Sequence, residues 1–97
     1  MTREEHMARC VEVLGEPFEE VHKWLDEFFA DPRYGTRHRC KRHHLRGMKE
    51  AGRLFGGKQA EAAAFLHILD DLKLEGWAPN QHEFPRDEEH FKKIGLW

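Results

Sequence analysis

The sequence predicts an all-α fold, an antiparallel helical bundle of four main helices with a short C-terminal helix. Three observations predict it. Apolar residues recur at three- and four-residue intervals through most of the chain, as on one face of a helix turning ~100° per residue. Glycines or turn clusters stand where each pattern stops, at Gly15, residues 31–35, Gly56, Gly76 and Gly95. No segment alternates apolar and polar residues as a strand does, and no repeat or low-complexity stretch is present.

A first helix is expected from the Thr2/Glu5 capping box, with His6, Met7, Cys10, Val13 and Leu14 on one face and Gly15 as its stop. Pro17 suits the first turn of a second helix, whose apolar positions are Phe18, Val21, Leu25, Phe28 and Phe29. Residues 31–35 break the pattern. Thr36 then caps a long central helix running to Gly56, with Cys40, His43, His44, Gly47, Met48, Ala51, Leu54 and Phe55 on one face and Arg39, Arg42, Arg46, Lys49 and Arg53 on the other. A fourth helix is predicted over residues 58–75. It has a core face of Ala62, Phe65, Leu66, Leu69 and Leu72, and a second face of Ala60, Ala63, Ala64, His67, Asp71 and Leu74 whose small residues admit a neighbouring helix or subunit. Residues 1–79 form the bundle. Residues 80–97 form an extension with a short helix over 85–94, after which Leu96 and Trp97 are expected to dock on the core or on a second copy.

With 97 residues the chain builds one modest core. No apolar run approaches the ~20 residues that cross a bilayer, and the start is unlike a signal peptide, so the expected setting is the cytoplasm, or the host cytoplasm for a phage gene. Cys10 and Cys40 fall on apolar helix faces, where a free thiol behaves as a small hydrophobe, and neither a disulfide nor a zinc site is assigned to them. Charge is unevenly placed: residues 1–30 carry eight acidic and three basic side chains, residues 37–53 seven basic and one acidic. Pairing of these surfaces within the chain or across a dimer explains the asymmetry. A homodimer is expected from the alanine face of the fourth helix, Trp77 and the Leu96–Trp97 end.

Two constellations bear on chemistry. His22/Asp26 and His67/Asp71 each have the i,i+4 spacing that puts two side chains on one helical face, and His43 or His44 can join them from the central helix. Neutral imidazoles and carboxylates suit a divalent transition metal such as Zn, Mn, Fe or Ni. The candidate metal ligands are therefore His22, Asp26, His43, His44, His67 and Asp71, with Asp26 and Asp71 also candidate catalytic bases. Arg37, Arg39 and His38, near a helix start, are candidate contacts to an anionic substrate. The competing account of each His-x-x-x-Asp pair is a hydrogen bond that holds the imidazole and ties down a helix. The second constellation is the run Arg37, Arg39, Lys41, Arg42, Arg46, Lys49 and Arg53, which reads as a binding surface for an acidic protein, nucleotide or nucleic acid. A pI near 6.4 and the absence of interleaved aromatics count against nucleic acid.

Taken together, His22-x-Trp24-x-Asp26, Arg37-His38-Arg39, Arg42-His43-His44-x-x-Gly47, Phe55-Gly56 and His67-x-x-x-Asp71-Leu72 resemble the DUF6915-like family of small bacterial and phage proteins. The central segment of that family reads close to R-H-R-x-x-R-H-H-x-x-G, which residues 37–47 match, and the resemblance covers roughly residues 6–79. It implies no particular activity. It does imply a shared polar signature of His22, Asp26, Arg37, His38, His43, His44, His67 and Asp71, spread over three helices as one site would be. The expected function is a divalent-metal-binding helical protein, extending to a metal-dependent hydrolase of a phosphorylated or nucleotide-like substrate. The alternative is a non-enzymatic phage or regulatory protein that binds through its Arg-rich helix.

Overall fold

The Thr2 hydroxyl accepts a bond from the Glu5 N–H while the Glu5 carboxylate accepts one from the Thr2 N–H, and this reciprocal cap starts α1, Arg3–Leu14. The left-handed Gly15 ends it. Three further main helices follow, α2 (Glu19–Leu25), α3 (Leu45–Phe55) and α4 (Lys58–Leu74), and a short α5 (Glu88–Ile94). Two 3₁₀ helices, Glu27–Ala30 and Gly35–Lys41, fill the path from α2 to α3. This computed structural model describes residues 1–95, without the side chains of residues 35 and 36, and the docking expected of Leu96 and Trp97 lies outside the described residues. The protein is all-α, and no described helix is long and apolar enough to cross a membrane.

The single central helix expected from residue 36 is in fact two pieces. A 3₁₀ segment ends at Lys41, and α3 begins at Leu45 after a bend whose last residue, His44, is extended (φ −156°, ψ 175°). Two local causes make the break. His44 Nδ1 accepts a hydrogen bond from the Gly47 N–H at 3.0 Å and so serves as the N-cap. The Leu45 and Arg46 N–H groups, orphans of a first helical turn, donate to the carbonyls of Pro85 and Arg86 at 2.8 and 2.9 Å. The extension is thereby part of the bundle's packing, with Pro85 and Phe91 buried. Gly47 is required at the bend because a Cβ there would lie 1.9 Å from the Arg42 carbonyl oxygen.

Helix α4 is the central element and packs on α1, α2 and α3. Its buried stripe is Ala60, Ala63, Ala64, His67, Ile68, Asp71 and Leu72, whereas Phe65 and Leu74 are exposed and Ala62, Leu66 and Leu69 half-buried. Of the face expected to be core, Leu72 is buried and Leu66 and Leu69 pack half-buried against the core, whereas Phe65 is exposed. Alanines let three helices approach one axis closely, and helical periodicity then carries His67 and Asp71 into the interior on the same stripe. The alanine face and Trp77, offered above as dimer surfaces, are covered within the chain. The expected second helix is also shorter: α2 starts at Glu19, Phe28 and Phe29 fall in a 3₁₀ turn, and Phe29 is 66% exposed.

Candidate metal centre

Among the described residues, seven polar ones are buried, namely His6, His22, His38, His43, His44, His67 and Asp71. An interior that withdraws this many polar groups from water must satisfy them from within. All but His44 gather where the Asp26 and Asp71 carboxylates meet, and several of their polar atoms find no hydrogen bond there. Asp26 ends α2, Asp71 and His67 sit one turn apart on α4, His6 comes from α1, His22 from α2, His38 from the 3₁₀ helix Gly35–Lys41, and the bend before α3 delivers His43.

One ligand atom from each of Asp26, His43, His67 and Asp71 lies within 4.8 Å of all the others, a group able to hold a metal ion. His43 Nε2 is 3.1 Å from Asp71 Oδ2 and 3.5 Å from Asp26 Oδ1. His67 Nε2 is 3.3 Å from Asp71 Oδ2 and 3.4 Å from Asp26 Oδ2. The His43–Asp71 contact is also a hydrogen bond, whereas the other three are longer than the roughly 2.7–2.9 Å of a charge-assisted N–H···O bond. Ligands held at about 2.0–2.1 Å from a tetrahedral ion stand about 3.3 Å apart, the value these pairs scatter around.

The proton positions agree with that spacing. His22 Nε2 lies 3.0 Å from the Pro17 carbonyl, which can only accept, so this nitrogen carries a hydrogen. Burial holds His22 neutral, with its pKa pushed down to about 4, so its Nδ1 is bare. That bare nitrogen is 2.9 Å from His67 Nδ1 and must accept from it. His67 in its neutral form therefore turns a lone pair, at Nε2, into the space between the two carboxylates, where it has no hydrogen-bond partner. Metal-bound histidines characteristically donate their second N–H in this way. Here the Pro17–His22 relay fixes the tautomer.

Electrostatics favour a cation at the same point. Burial alone would raise the Asp26 carboxyl, but the close approach of His38 and His67 outweighs it and holds Asp26 well below the usual carboxylate range. Asp71 is lowered likewise: burial opposes, and His43, His6 and His67 prevail. Burial lowers His67, yet the two carboxylates beside it raise its pKa overall, so a proton takes the cation's place there when no metal does. Burial pushes His43 down to about 4, and its Nδ1 has no hydrogen-bond partner. Held in their anionic form, Asp26 and Asp71 suit ligation of a cation.

Of the six expected ligands, the structure brings four to one point. His22 stands behind His67, with both its nitrogens engaged. His44 is separated from the group, because its Nδ1 caps α3 and its Nε2 faces the Lys41 carbonyl at 3.0 Å. His6, read from the sequence as part of an apolar face and not as a ligand, stacks on His67 with ring centroids 3.6 Å apart and approaches Asp71 Oδ1 at 3.2 Å. Its place one helical turn before the buried Cys10 was the available signal. His82 and His90 accept from the N–H groups of Ala78 and Arg86, away from the cluster.

A cleft of about 270 Å³ reaches the two carboxylates from the surface, lined by Arg3, Asp26, Phe29, His38, Arg39 and Asp71 together with residues 1 and 2. His38 and Arg39 are thus beside the cluster, whereas Arg37 is not among the lining residues. Arg39 Nε lies 3.5 Å from Asp71 Oδ2 and its Nη1 donates to Glu75 at 2.7 Å. The rest of the basic run is largely neutralised in the chain: Lys41 meets Glu88, Arg42 meets Glu27 and stacks on Trp24, Lys49 meets Glu61 and Arg53 meets Glu50. Cys10 and Cys40 are free and buried, and burial raises both thiols, which keeps them protonated.

Fold and site together define an all-α protein with a buried His/Asp cluster able to hold a metal ion. Comparison with protein-family models, with curated proteins and with solved structures gives no match.

Proposed function

We propose that the chain binds a divalent transition metal (Zn, Mn, Fe or Ni) through Asp26, His43, His67 and Asp71, and acts as a hydrolase on a small phosphate-bearing substrate entering by the cleft. The observation that carries the metal reading is the placement of His67 Nε2, held by the Pro17–His22 relay at 3.4 and 3.3 Å from the Asp26 and Asp71 carboxylates without a hydrogen-bond partner. A bound divalent ion supplies Lewis acidity toward a phosphoryl or carbonyl oxygen. Arg39 and Arg3 in the cleft wall offer positive charge to an anion, and Phe29, edge-on to His38, offers an apolar surface beside it. His38, 3.3 Å from Asp26 Oδ1, orients that carboxylate. The reading of the Arg-rich run as a binding surface loses support from the ion pairs that consume it.

The test is phosphatase activity on a panel of phosphomonoesters and phosphodiesters, with protein stripped of metal and reloaded with each of the four ions. Activity restored by one of them and reduced at least tenfold in Arg39→Gln, with metal content unchanged, is expected. No turnover with any ion removes the hydrolase reading and leaves the metal reading to be decided by metal content.

A further inference from the structure

Asp71 turns its two oxygens toward different partners. Oδ2 faces His43 and His67, at 3.1 and 3.3 Å, whereas Oδ1 faces His6 Nε2 at 3.2 Å. His6 is 1% exposed, neither of its ring nitrogens has a hydrogen-bond partner, and Asp71 Oδ1 lacks one too. The two form a buried ion-pair contact that lacks hydrogen-bond alignment, and the Met1 ammonium stands 3.9 Å from the same oxygen, so positive charge is already drawn to this point. The separation of His6 and Asp71 matches the edge between two ligands of one ion, as it does in the four-residue group.

A carboxylate that gives one oxygen to each of two donor sets is a bridging ligand. We infer that the centre is dinuclear: one ion lies among Asp26, His43, His67 and Asp71 Oδ2, and a second is held by His6 Nε2 and Asp71 Oδ1. The inference rests on the metal-binding reading above. Two protein donors leave the second ion's remaining positions open, and Asp71 lines the cleft, so solvent and substrate can fill them. Paired ions at the roughly 3.5–4 Å typical of such centres grip both the attacking and the leaving oxygen of an in-line displacement, which makes phosphate esters the matching substrate class.

The test loads metal-free full-length protein with Mn²⁺, removes the excess by desalting, and measures Mn per chain together with the electron paramagnetic resonance spectrum. Two Mn per chain with an exchange-coupled spectrum is the expected result, and His6→Gln is expected to hold one Mn per chain and give an isolated-ion signal. One Mn per chain in the wild type, with an uncoupled spectrum, overturns the dinuclear centre and leaves the single-ion reading intact. Two Mn per chain retained by His6→Gln also overturns it. No bound Mn, Zn, Fe or Ni at all removes both. The wild-type spectrum decides the matter even if the variant fails to fold.

Discussion

His22 Nδ1 and His67 Nδ1 lie 2.9 Å apart in the core, on different helices, and one hydrogen is shared between them. Because the Pro17 carbonyl holds the other hydrogen of His22, the shared one belongs to His67. His22 is therefore a positioning residue. His22→Ala leaves all four ligands in place but frees the His67 tautomer, and loss of such an outer partner typically weakens metal affinity about 10–100-fold. Competition titration against a chelator measures this. Abolition of binding in a folded His22→Ala would make His22 a ligand instead.

Adjacent His43 and His44 are expected to behave oppositely. His44→Ala removes the α3 cap, at a cost of about 1 kcal/mol in denaturant unfolding, and leaves metal content unchanged. His43→Ala removes a ligand and with it most of the metal. Equal metal loss in both variants contradicts the assignment.

Acid should destabilise the metal-free protein well above the carboxylate range. His22 and His43 are each held to about 4 by burial, against an ordinary 6.5, so between those values the unfolded chain binds protons that the folded one refuses. Their stabilisation is complete above pH ~6.5 and is lost as pH falls toward ~4, at most about 3 kcal/mol each. His67 runs the other way: its pKa is raised, so its contribution is full at low pH and is lost as pH rises through the folded value. Burial lowers His44 as well, so three histidines against one leave the net slope downward on acidification. Melting temperatures from pH 7 to pH 4.5 measure it, and a flat profile contradicts it.

Gly47→Ala should cost about 3 kcal/mol or more, because the new Cβ meets the Arg42 carbonyl, a backbone group that cannot turn aside. The bend holding His43 against Asp71 would shift with it. A chemical denaturation midpoint within error of the wild type would show that the bend is looser than described.

The caps of α1 and the limits of α4 were legible because each depends on residues close in sequence: Thr2 with Glu5, and Gly15 and Gly76 at helix ends. The i,i+4 pair His67/Asp71 was legible for the same reason. What sequence could not supply is long-range. The bend at residues 42–44 is stabilised by hydrogen bonds from α3 to Pro85 and Arg86, some forty residues away. A helical wheel put His43 and His44 on the same side, whereas the bend turns one to Asp71 and the other to its own helix end. On α4, hydrophobicity pointed to Phe65 as core, yet that ring lies exposed. Close helix approach instead selected the alanines, and His67 and Asp71 with them.

The central claim is that the cluster is a metal centre and not a set of hydrogen bonds. Elemental analysis of untagged protein, purified without chelator or added metal, beside His67→Ala prepared in parallel, tests it most directly. The account predicts at least one transition-metal equivalent per wild-type chain, a thermal stabilisation on adding that metal to stripped protein, and near-complete loss of both in His67→Ala. Substoichiometric metal in the wild type, with no thermal shift on adding Zn, Mn, Fe or Ni, would contradict it and leave His6, His22, His43 and His67 as a structural network around Asp26 and Asp71.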